Sequence, residues 1–392
     1  MHGITMFKWC LIGAFILSMP VLANEQPKLK LVDSLIDDYL QKYKNEELVT
    51  GIGAAFLSGT GVTSTALGYE SSKRKKLLTP NAYFQIGSVT KSFTAALILK
   101  LEAEGKLNIN QTIGDWLPEY RDWRAITIKQ LLNMTSTIPG YATIPILENS
   151  ITKNLKKQWT NKELVDLAYN YKHPTSGYNY SDTNYLILGM IIEKVTHDSF
   201  SHQLEEKILK PLQLKETYYV TKSFTPQFLG KMPESYYYGK TGVNLQRAQM
   251  GTDVNLSMAG PAGAIVATTA DVAYWIKALF SSNFLPSRQQ RELKSLVSMK
   301  TGKSITEVSP EDPNGFGLGV VQGYNPKLGK YWYYEGDTVG FRVIYVYHPC
   351  NKKAVIIALN SSRFVDESTA DHSGDLLLNL YQAAFGLAPK CE

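Results

Sequence analysis

Cysteine and histidine are scarce in this sequence. Its 392 residues include three cysteines, Cys10, Cys350 and Cys391, and six histidines that are scattered along the chain. No two histidines have the His-x-x-x-His spacing of a helical metal site, and the cysteines are too few for a thiolate zinc cluster. We therefore expect no metal and no other cofactor, and metal-dependent hydrolysis is disfavoured.

The sequence also lacks a strong excess of one charge. Its formal net charge is +6 at pH 7, and 19% of its residues are charged. The dense basic run, Lys73–Lys76, is not interleaved with aromatic residues as a nucleic-acid-binding surface would be. We expect no nucleic-acid partner and interpret the run as a solvated loop, with a polyanion site as the alternative.

A long apolar run stands at the N-terminus. Trp9–Leu22 follows the positive charge of Lys8, and small or medium side chains precede a cleavage site between Ala23 and Asn24. This pattern predicts a secretory signal peptide over residues 1–23, because the run is too short to favour a stable membrane span. Cys10 lacks the small preceding residues of a lipid-attachment site, so we expect periplasmic or secreted protein without a membrane span after cleavage.

Export would leave two cysteines in an oxidising compartment. Cys350 and Cys391 could then form a disulfide that ties the C-terminal end to a strand end. Two unpaired thiols are the alternative, and the sequence does not decide between them.

The mature chain has strand patterns near both ends and helical patterns between them. An amphipathic helix from Val32 precedes strand-like runs at 49–57 and 62–69, and runs at 331–334, 341–347 and 354–359 precede a helix over 375–385. This order predicts an α/β (α+β) fold with one antiparallel sheet formed by the N- and C-terminal segments and flanked by helices. We expect residues 24–392 to form one catalytic unit, with a sheet lobe (24–109 and 281–392) and a mainly helical lobe (110–280).

Ser88 and Lys91 are the first candidate catalytic pair. A hydroxyl is a weak nucleophile unless a base takes its proton, and a spacing of three on a helix puts both side chains on one face. The spacing alone is weak evidence, since Ser72 and Lys75 share it, as do Ser150 and Lys153. Ser88 differs because it follows a glycine at the start of an apolar helical pattern, where helix dipoles favour developing negative charge.

Several motifs in order around Ser88 resemble the penicillin-recognising serine hydrolases, in particular the branch of class C β-lactamases, D-alanyl-D-alanine carboxypeptidases and related esterases. The resemblance covers about Ile36 to Phe385 and rests on the segments 84–94, 105–107, 126–136, 177–185, 259–271 and 316–319. It implies a β-lactamase/transpeptidase-like fold. It also implies that Ser88 is acylated and that Lys91 accepts its proton.

The resemblance gives roles to Tyr180 and to Asp182. Tyr180 matches the tyrosine of the family's Tyr-x-Asn motif, which relays a proton to the leaving group. At the Asn position stands Asp182, an acceptor-only carboxylate that would repel a substrate carbonyl unless it is protonated or paired with Lys91.

The third family motif, Lys-Thr-Gly or His-x-Gly, is matched by Tyr334, Glu335 and Gly336. We predict that these three residues bind substrate, although a tyrosine replaces the cation or imidazole. The backbone N–H groups of Ser88 and Asp337 would form the oxyanion hole. Two literal Lys-Thr-Gly strings, Lys240–Gly242 and Lys300–Gly302, do not precede the terminal strand pair and are interpreted as coincidences; the second follows a helix-like stretch at 293–299.

These observations predict a serine hydrolase that acts through an acyl-enzyme on a peptide, amide or ester. The resemblance implies a D-alanyl-D-alanine carboxypeptidase-like or β-lactamase-related activity, with a small molecule or a peptide such as peptidoglycan as substrate. Loss of the third-motif cation argues against efficient β-lactam hydrolysis, because β-lactams carry a carboxylate. The alternative is a catalytically impaired envelope protein that binds cell-wall peptides on the same scaffold.

Overall fold

The computed structural model describes residues 29–73, 75–143, 154, 156–171, 176–238, 254–281, 283–363 and 371–387. The predicted signal peptide, Cys391 and the string Lys240–Gly242 lie outside these ranges. Cys350 is disulfide-bonded, but its pairing with Cys391 stays a prediction. Among the described helices, none has the length and apolar character that a membrane crossing requires.

Within these ranges, the strands are β1 (Gly51–Ser58), β2 (Gly61–Gly68), β3 (Phe84–Gln85), β4 (Thr217–Tyr219), β5 (Tyr236–Tyr238), β6 (Ile265–Ala267), β7 (Leu296–Ser298), β8 (Ser304–Ile305), β9 (Asn314–Phe316), β10 (Val321–Asn325), β11 (Gly329–Thr338), β12 (Phe341–His348), β13 (Lys353–Leu359) and β14 (Ser361–Arg363). Nine of them form one antiparallel sheet in the order β2-β1-β13-β12-β11-β10-β9-β7-β8. Smaller sheets join β3, β6 and β4, and β14 with β5.

The α-helices of the same ranges are α1 (Leu29–Tyr43), α2 (Thr90–Ala103), α3 (Ile113–Trp116), α4 (Ile128–Leu132), α5 (Asn161–Tyr171), α6 (Asp182–Thr196), α7 (Phe200–Leu204), α8 (Lys210–Leu212), α9 (Pro226–Leu229), α10 (Gly260–Gly263), α11 (Thr269–Phe280), α12 (Ser287–Leu293) and α13 (Ser373–Phe385). A π-helical turn, Glu205–Leu209, joins α7 to α8. Short 3-10 turns lie at Gly87–Val89, Arg121–Trp123, Tyr141–Thr143 and Leu256–Met258.

The prediction of one antiparallel sheet built from both ends of the chain is confirmed. The N-terminal strand β1 pairs with the C-terminal strand β13, with Ile52 opposite Leu359. The sheet is larger than predicted, because the four strands β7 to β10 add to it. All four have only two to five residues, too few for an alternating pattern to stand out.

The helix-like interpretation of the stretch 293–299 is wrong. It holds the last residue of α12 and then strand β7. Leu293, Leu296 and Val297 are all buried, and a short apolar run of this kind does not distinguish a buried strand from a helix.

Apolar side chains cover both faces of the large sheet. On one face, α1 and α13 bury residues at helical spacing, including Val32, Ile36 and Leu380. On the other face, α2 lies in the main core and is buried on nearly every side instead of along one stripe. Each fully buried side chain such as Phe93 or Leu97 stabilises the fold by about 1.5–3 kcal/mol relative to exposure. The helix that follows Ser88 is therefore held firmly in place.

Candidate active site

A tight turn presents Ser88 at the start of α2. Strand β3 ends at Gln85, and the 3-10 turn Gly87–Val89 leads directly into the helix. Gly87 has φ +49°, and a Cβ at this position would lie 2.6 Å from the carbonyl oxygen of Asp337. A glycine is needed here on both counts. Ser88 is partly exposed, whereas its neighbours in the turn are buried.

The side chain of Lys91 lies one turn further along and is fully buried. Its Nζ lies 2.9 Å from Ser88 Oγ, 3.0 Å from the carbonyl oxygen of Ala262 and 2.6 Å from Asp182 Oδ1. Three acceptors therefore surround the three N–H groups of an ammonium. The structure thus brings together Ser88, Lys91 and Asp182 and settles how Asp182 is accommodated, since it pairs with Lys91.

The charge state of Lys91 follows from these contacts. Burial alone would lower its pKa, because desolvation disfavours the ammonium. The carboxylate of Asp182, with its hydrogen bond to Lys91, and the nearby phenol of Tyr180 outweigh that effect and raise the pKa of Lys91 above its ordinary value of 10.5. Lys91 is therefore a cation at neutral pH.

Tyr180 lies beside this ammonium. Lys91 Nζ is 4.9 Å from the centre of the Tyr180 ring, and the Tyr180 hydroxyl lies 3.2 Å from the hydroxyl of Tyr334. The two tyrosines differ in environment, since Tyr180 is 37% exposed and Tyr334 only 3%. Burial, followed by the nearby Tyr180 and Tyr185, raises the pKa of Tyr334 well above its ordinary value, so its hydroxyl keeps its proton.

Strand β11 closes the site on the side of Ser88. A Cβ on Gly336 would lie 2.0 Å from the carbonyl oxygen of Ile86 and 2.9 Å from the amide nitrogen of Ser88, so only glycine fits there. Thr338 pairs with Phe341 across a two-residue turn. Hydrogen-bonded and non-hydrogen-bonded pairs alternate along an antiparallel ladder, and Asp337 belongs to the non-hydrogen-bonded pair that follows the turn. Its amide therefore points away from β12 and towards the Ser88 turn.

The side chain of Glu335 does not belong to this group. It alternates with Tyr334 along β11 and lies opposite Ile344, which packs in the core under α1 and α13. Glu335 therefore lies on the sheet face away from Tyr334, and its predicted contact with substrate has no support from this placement.

A buried arginine that sequence reasoning did not single out lies behind the oxyanion strand. Arg342 is fully buried opposite Asp337 in the β11–β12 ladder, and its Nε lies 3.5 Å from Asp337 Oδ1. Its Nη1 donates to Asp371 and to Ser373 Oγ, the latter at 2.9 Å. Arg342 thereby ties strand β11 to the start of α13. No local pattern revealed this role, because the partners are 5 to 31 residues away in sequence.

Of the literal Lys-Thr-Gly strings, the described one does not occupy the third-motif position. Lys300–Gly302 forms the turn between β7 and β8, and Gly302 packs against the backbone of Gly177 and Tyr178. The other contribution that sequence reasoning missed is the carbonyl of Ala262 in α10. A backbone contact of this kind leaves no side-chain signal, although the segment 259–271 around it is one of those that carry the family resemblance.

A serine with a buried lysine one turn along the helix, a tyrosine beside that lysine and a glycine-containing strand packed against the serine turn define a site of the serine-hydrolase kind on a β-lactamase/transpeptidase-like fold. The family model described as Beta-lactamase matches residues 32–379, and the chain belongs to this family. It fits the penicillin-recognising serine hydrolases, and members of this group are serine hydrolases.

Three similar proteins illustrate the range of the family. Penicillin-binding protein 4* of Bacillus subtilis (strain 168) is 24% identical over 345 residues, which cover 86% of this chain and 72% of that protein. Teichoic acid D-alanine hydrolase of Staphylococcus aureus is 30% identical over 229 residues, or 58% of this chain and about half (52%) of that protein. The structure of a D-stereospecific amidohydrolase from Streptomyces sp. aligns with TM-score 0.74 and 25% identity, covering 90% of this chain and 98% of that one.

Proposed function

We propose that the chain is an exported serine hydrolase that forms an acyl-enzyme at Ser88 on D-aminoacyl esters or amides whose leaving group carries no carboxylate. The observation that carries the proposal is the buried hydroxyl of Tyr334, which stands at the third-motif position and is hydrogen-bonded to Tyr180. A carboxylate brought there would meet a neutral phenol in place of a cation and would lose solvation without compensation.

The D-aminoacyl part of the proposal draws on the relatives. One is named for the hydrolysis of D-alanine from teichoic acid and another for D-stereospecific amide hydrolysis. Both names describe an acyl group of D configuration, and an ester of D-alanine on an envelope polymer has no carboxylate on its leaving group. Peptidoglycan stem peptides share the acyl group but end in a carboxylate, so they fit this site less well.

The raised pKa of Lys91 changes the role expected for it. An ammonium held by Asp182 cannot accept a proton, but it can stabilise an ionised Tyr180 beside it. In the proposed reaction, Ser88 Oγ attacks the carbonyl carbon while its proton passes to the Tyr180 oxygen. The N–H groups of Ser88 and Asp337 donate to the oxyanion that forms.

Collapse of this intermediate breaks the bond to the leaving group, and Tyr180 gives its proton to the departing oxygen or nitrogen. Water then attacks the acyl-enzyme, with Tyr180 taking the proton of water and returning it to Ser88. The cycle returns Tyr180 and Lys91 to the protonation states in which they began.

Export is proposed on the pattern of residues 1–23, and the disulfide at Cys350 fits an oxidising compartment. The second candidate function is a binding protein without turnover for cell-wall peptides. The observation in its favour is the pairing of Lys91 with Asp182, which removes the free amine that the resemblance implies for proton transfer.

A pair of substrates that differ only in a carboxylate tests the proposal. We expect the acetyl-D-alanyl ester of methyl glycolate to be hydrolysed with kcat/KM at least about 10-fold above that of the same ester of glycolic acid, because the acid must be desolvated at Tyr334. Ser88→Ala serves as the control for background hydrolysis. Preference for the acid form or for a penicillin would contradict the proposed substrate class. Binding without turnover of any of these compounds would favour the second candidate.

A further inference from the structure

Tyr334 is enclosed by buried side chains, whereas Tyr180 is partly exposed to solvent. Tyr334 lies within strand β11 opposite Tyr345, which is fully buried. The ring of Phe316 lies 6.0 Å from the Tyr334 ring and 6.2 Å from the Tyr180 ring, near edge-on to both. Tyr180 precedes α6 and is more than a third exposed. The hydroxyl of Tyr334 is therefore a fixed point from which Tyr180 can be oriented.

The hydrogen bond between the two hydroxyls has a defined direction whenever Tyr180 is ionised. A phenolate oxygen can only accept, so Tyr334 must donate. Hydrogen bonds to ionised acceptors are roughly twice as strong as neutral ones, and a buried environment strengthens them further. Lys91 approaches Tyr180 from α2, with its Nζ 4.9 Å from the centre of the ring. An ionised Tyr180 would therefore be stabilised by α2 and by β11 at once.

We propose that Tyr334 is a positioning residue whose hydroxyl donates to the oxygen of Tyr180, holding it ready to take the proton of Ser88, and that this neutral donor replaces the cation of the third motif. The inference rests on the proposed function. Through the cycle Tyr334 keeps its own proton: one proton moves from Ser88 to Tyr180 and then to the leaving group. A neutral donor stabilises the phenolate without adding a positive charge that would attract a carboxylate.

Other titratable groups also act on Tyr180. Those that face it from the packed elements and from its own segment are Lys91, Tyr141, Tyr178, Asp182, Tyr185 and Tyr334. Lys91 keeps its charge across the neutral range because its pKa is raised, and the pKa values of the buried tyrosines are raised by burial. Removing one hydroxyl at position 334 therefore changes the stabilisation of Tyr180 without changing the charge of any neighbour.

Tyr334→Phe tests this role because it removes a single oxygen. With the methyl glycolate ester of acetyl-D-alanine, we expect kcat to fall about 10-fold or more while KM changes little. The rising limb of the kcat/KM profile should move to higher pH, because loss of a hydrogen-bond donor disfavours an ionised acceptor. Tyr333→Phe is the matched control: it removes the hydroxyl of the adjacent residue, which donates to Asn314 at 2.9 Å, and it should leave both quantities unchanged.

Covalent labelling of Ser88 distinguishes failure of the role proposed for Tyr334 from failure of the proposed function. If Tyr334→Phe reacts with a fluorophosphonate at Ser88 and retains the wild-type kcat and pH profile, the inference is overturned while the proposed function stands. A fall in kcat without movement of the rising limb would also overturn it, because lost packing alone would account for that result. Failure of the wild-type protein to hydrolyse any ester and to label at Ser88 would instead remove the proposed function itself.

Discussion

Lys91→Met is expected to slow the acylation of Ser88 by a fluorophosphonate by about 10²–10³-fold, the range for loss of one positioned electrostatic stabiliser. Lys91 Nζ contacts both Ser88 Oγ and Asp182 Oδ1 and lies beside Tyr180. Methionine has a similar length and suits a fully buried site, so the change removes the ammonium while most of the packing is kept. The rate of adduct formation, followed by intact-protein mass spectrometry, gives the measurement.

Lys100→Met is the matched control for this variant. Lys100 lies on the same helix, is partly buried, and places its ammonium 4.4 Å from the centre of the Phe284 ring, away from Ser88. We expect the control to label at the wild-type rate. Thermal unfolding of both variants shows whether the fold is intact. Labelling of Lys91→Met at the wild-type rate would contradict the role given to the ammonium.

Asp182→Asn is expected to change the pH dependence of acylation. In the wild type the pKa of Lys91 is raised, so the ammonium and the activity that depends on it persist as pH rises through the neutral and mildly alkaline range. Asparagine carries no charge, so burial would dominate and lower the pKa of Lys91. Activity should then be lost as pH rises through that lowered pKa, giving a falling limb at a lower pH than in the wild type.

Acylation rates from pH 5 to pH 10 provide the test. Asp166→Asn is the control, because Asp166 forms a surface ion pair with Lys162 at 2.7 Å and its loss should not change the profile. The opposite result is informative. If Asp182→Asn is faster than the wild type at neutral pH, a neutral Lys91 would be the base that takes the Ser88 proton, as the family resemblance implies, and the ammonium role would be wrong.

The general architecture could be predicted because it depends on local patterns. Strand-like runs indicated β1, β12 and β13, the last two through their β-branched and aromatic residues, and helical spacing placed Ser88 and Lys91 on one face. The presence of an aspartate at position 182 also limited the possible contacts of the site, because a carboxylate there needed either a proton or the partner that Lys91 provides. These features follow from residue type and spacing, which a single sequence contains.

What could not be predicted depends on contacts between distant segments. The Ala262 carbonyl is 171 residues from Lys91, and the hydroxyl of Tyr334 meets Tyr180 across 154 residues. Glu335 was grouped with its neighbours in sequence, although strand alternation puts it on the other face of the sheet. Arg342 carried no motif, and its burial between Asp337 and Asp371 appears only when β11, β12 and α13 are packed together.

The most direct test of the central claim is peptide mapping by tandem mass spectrometry after exposure of the full chain to a fluorophosphonate. We expect a single adduct on the peptide that contains Ser88, with the modification on the Ser88 oxygen, and no adduct in Ser88→Ala under the same conditions. Folded wild-type protein that carries no adduct, or carries it on another residue and keeps it in Ser88→Ala, would show that Ser88 is not the nucleophile.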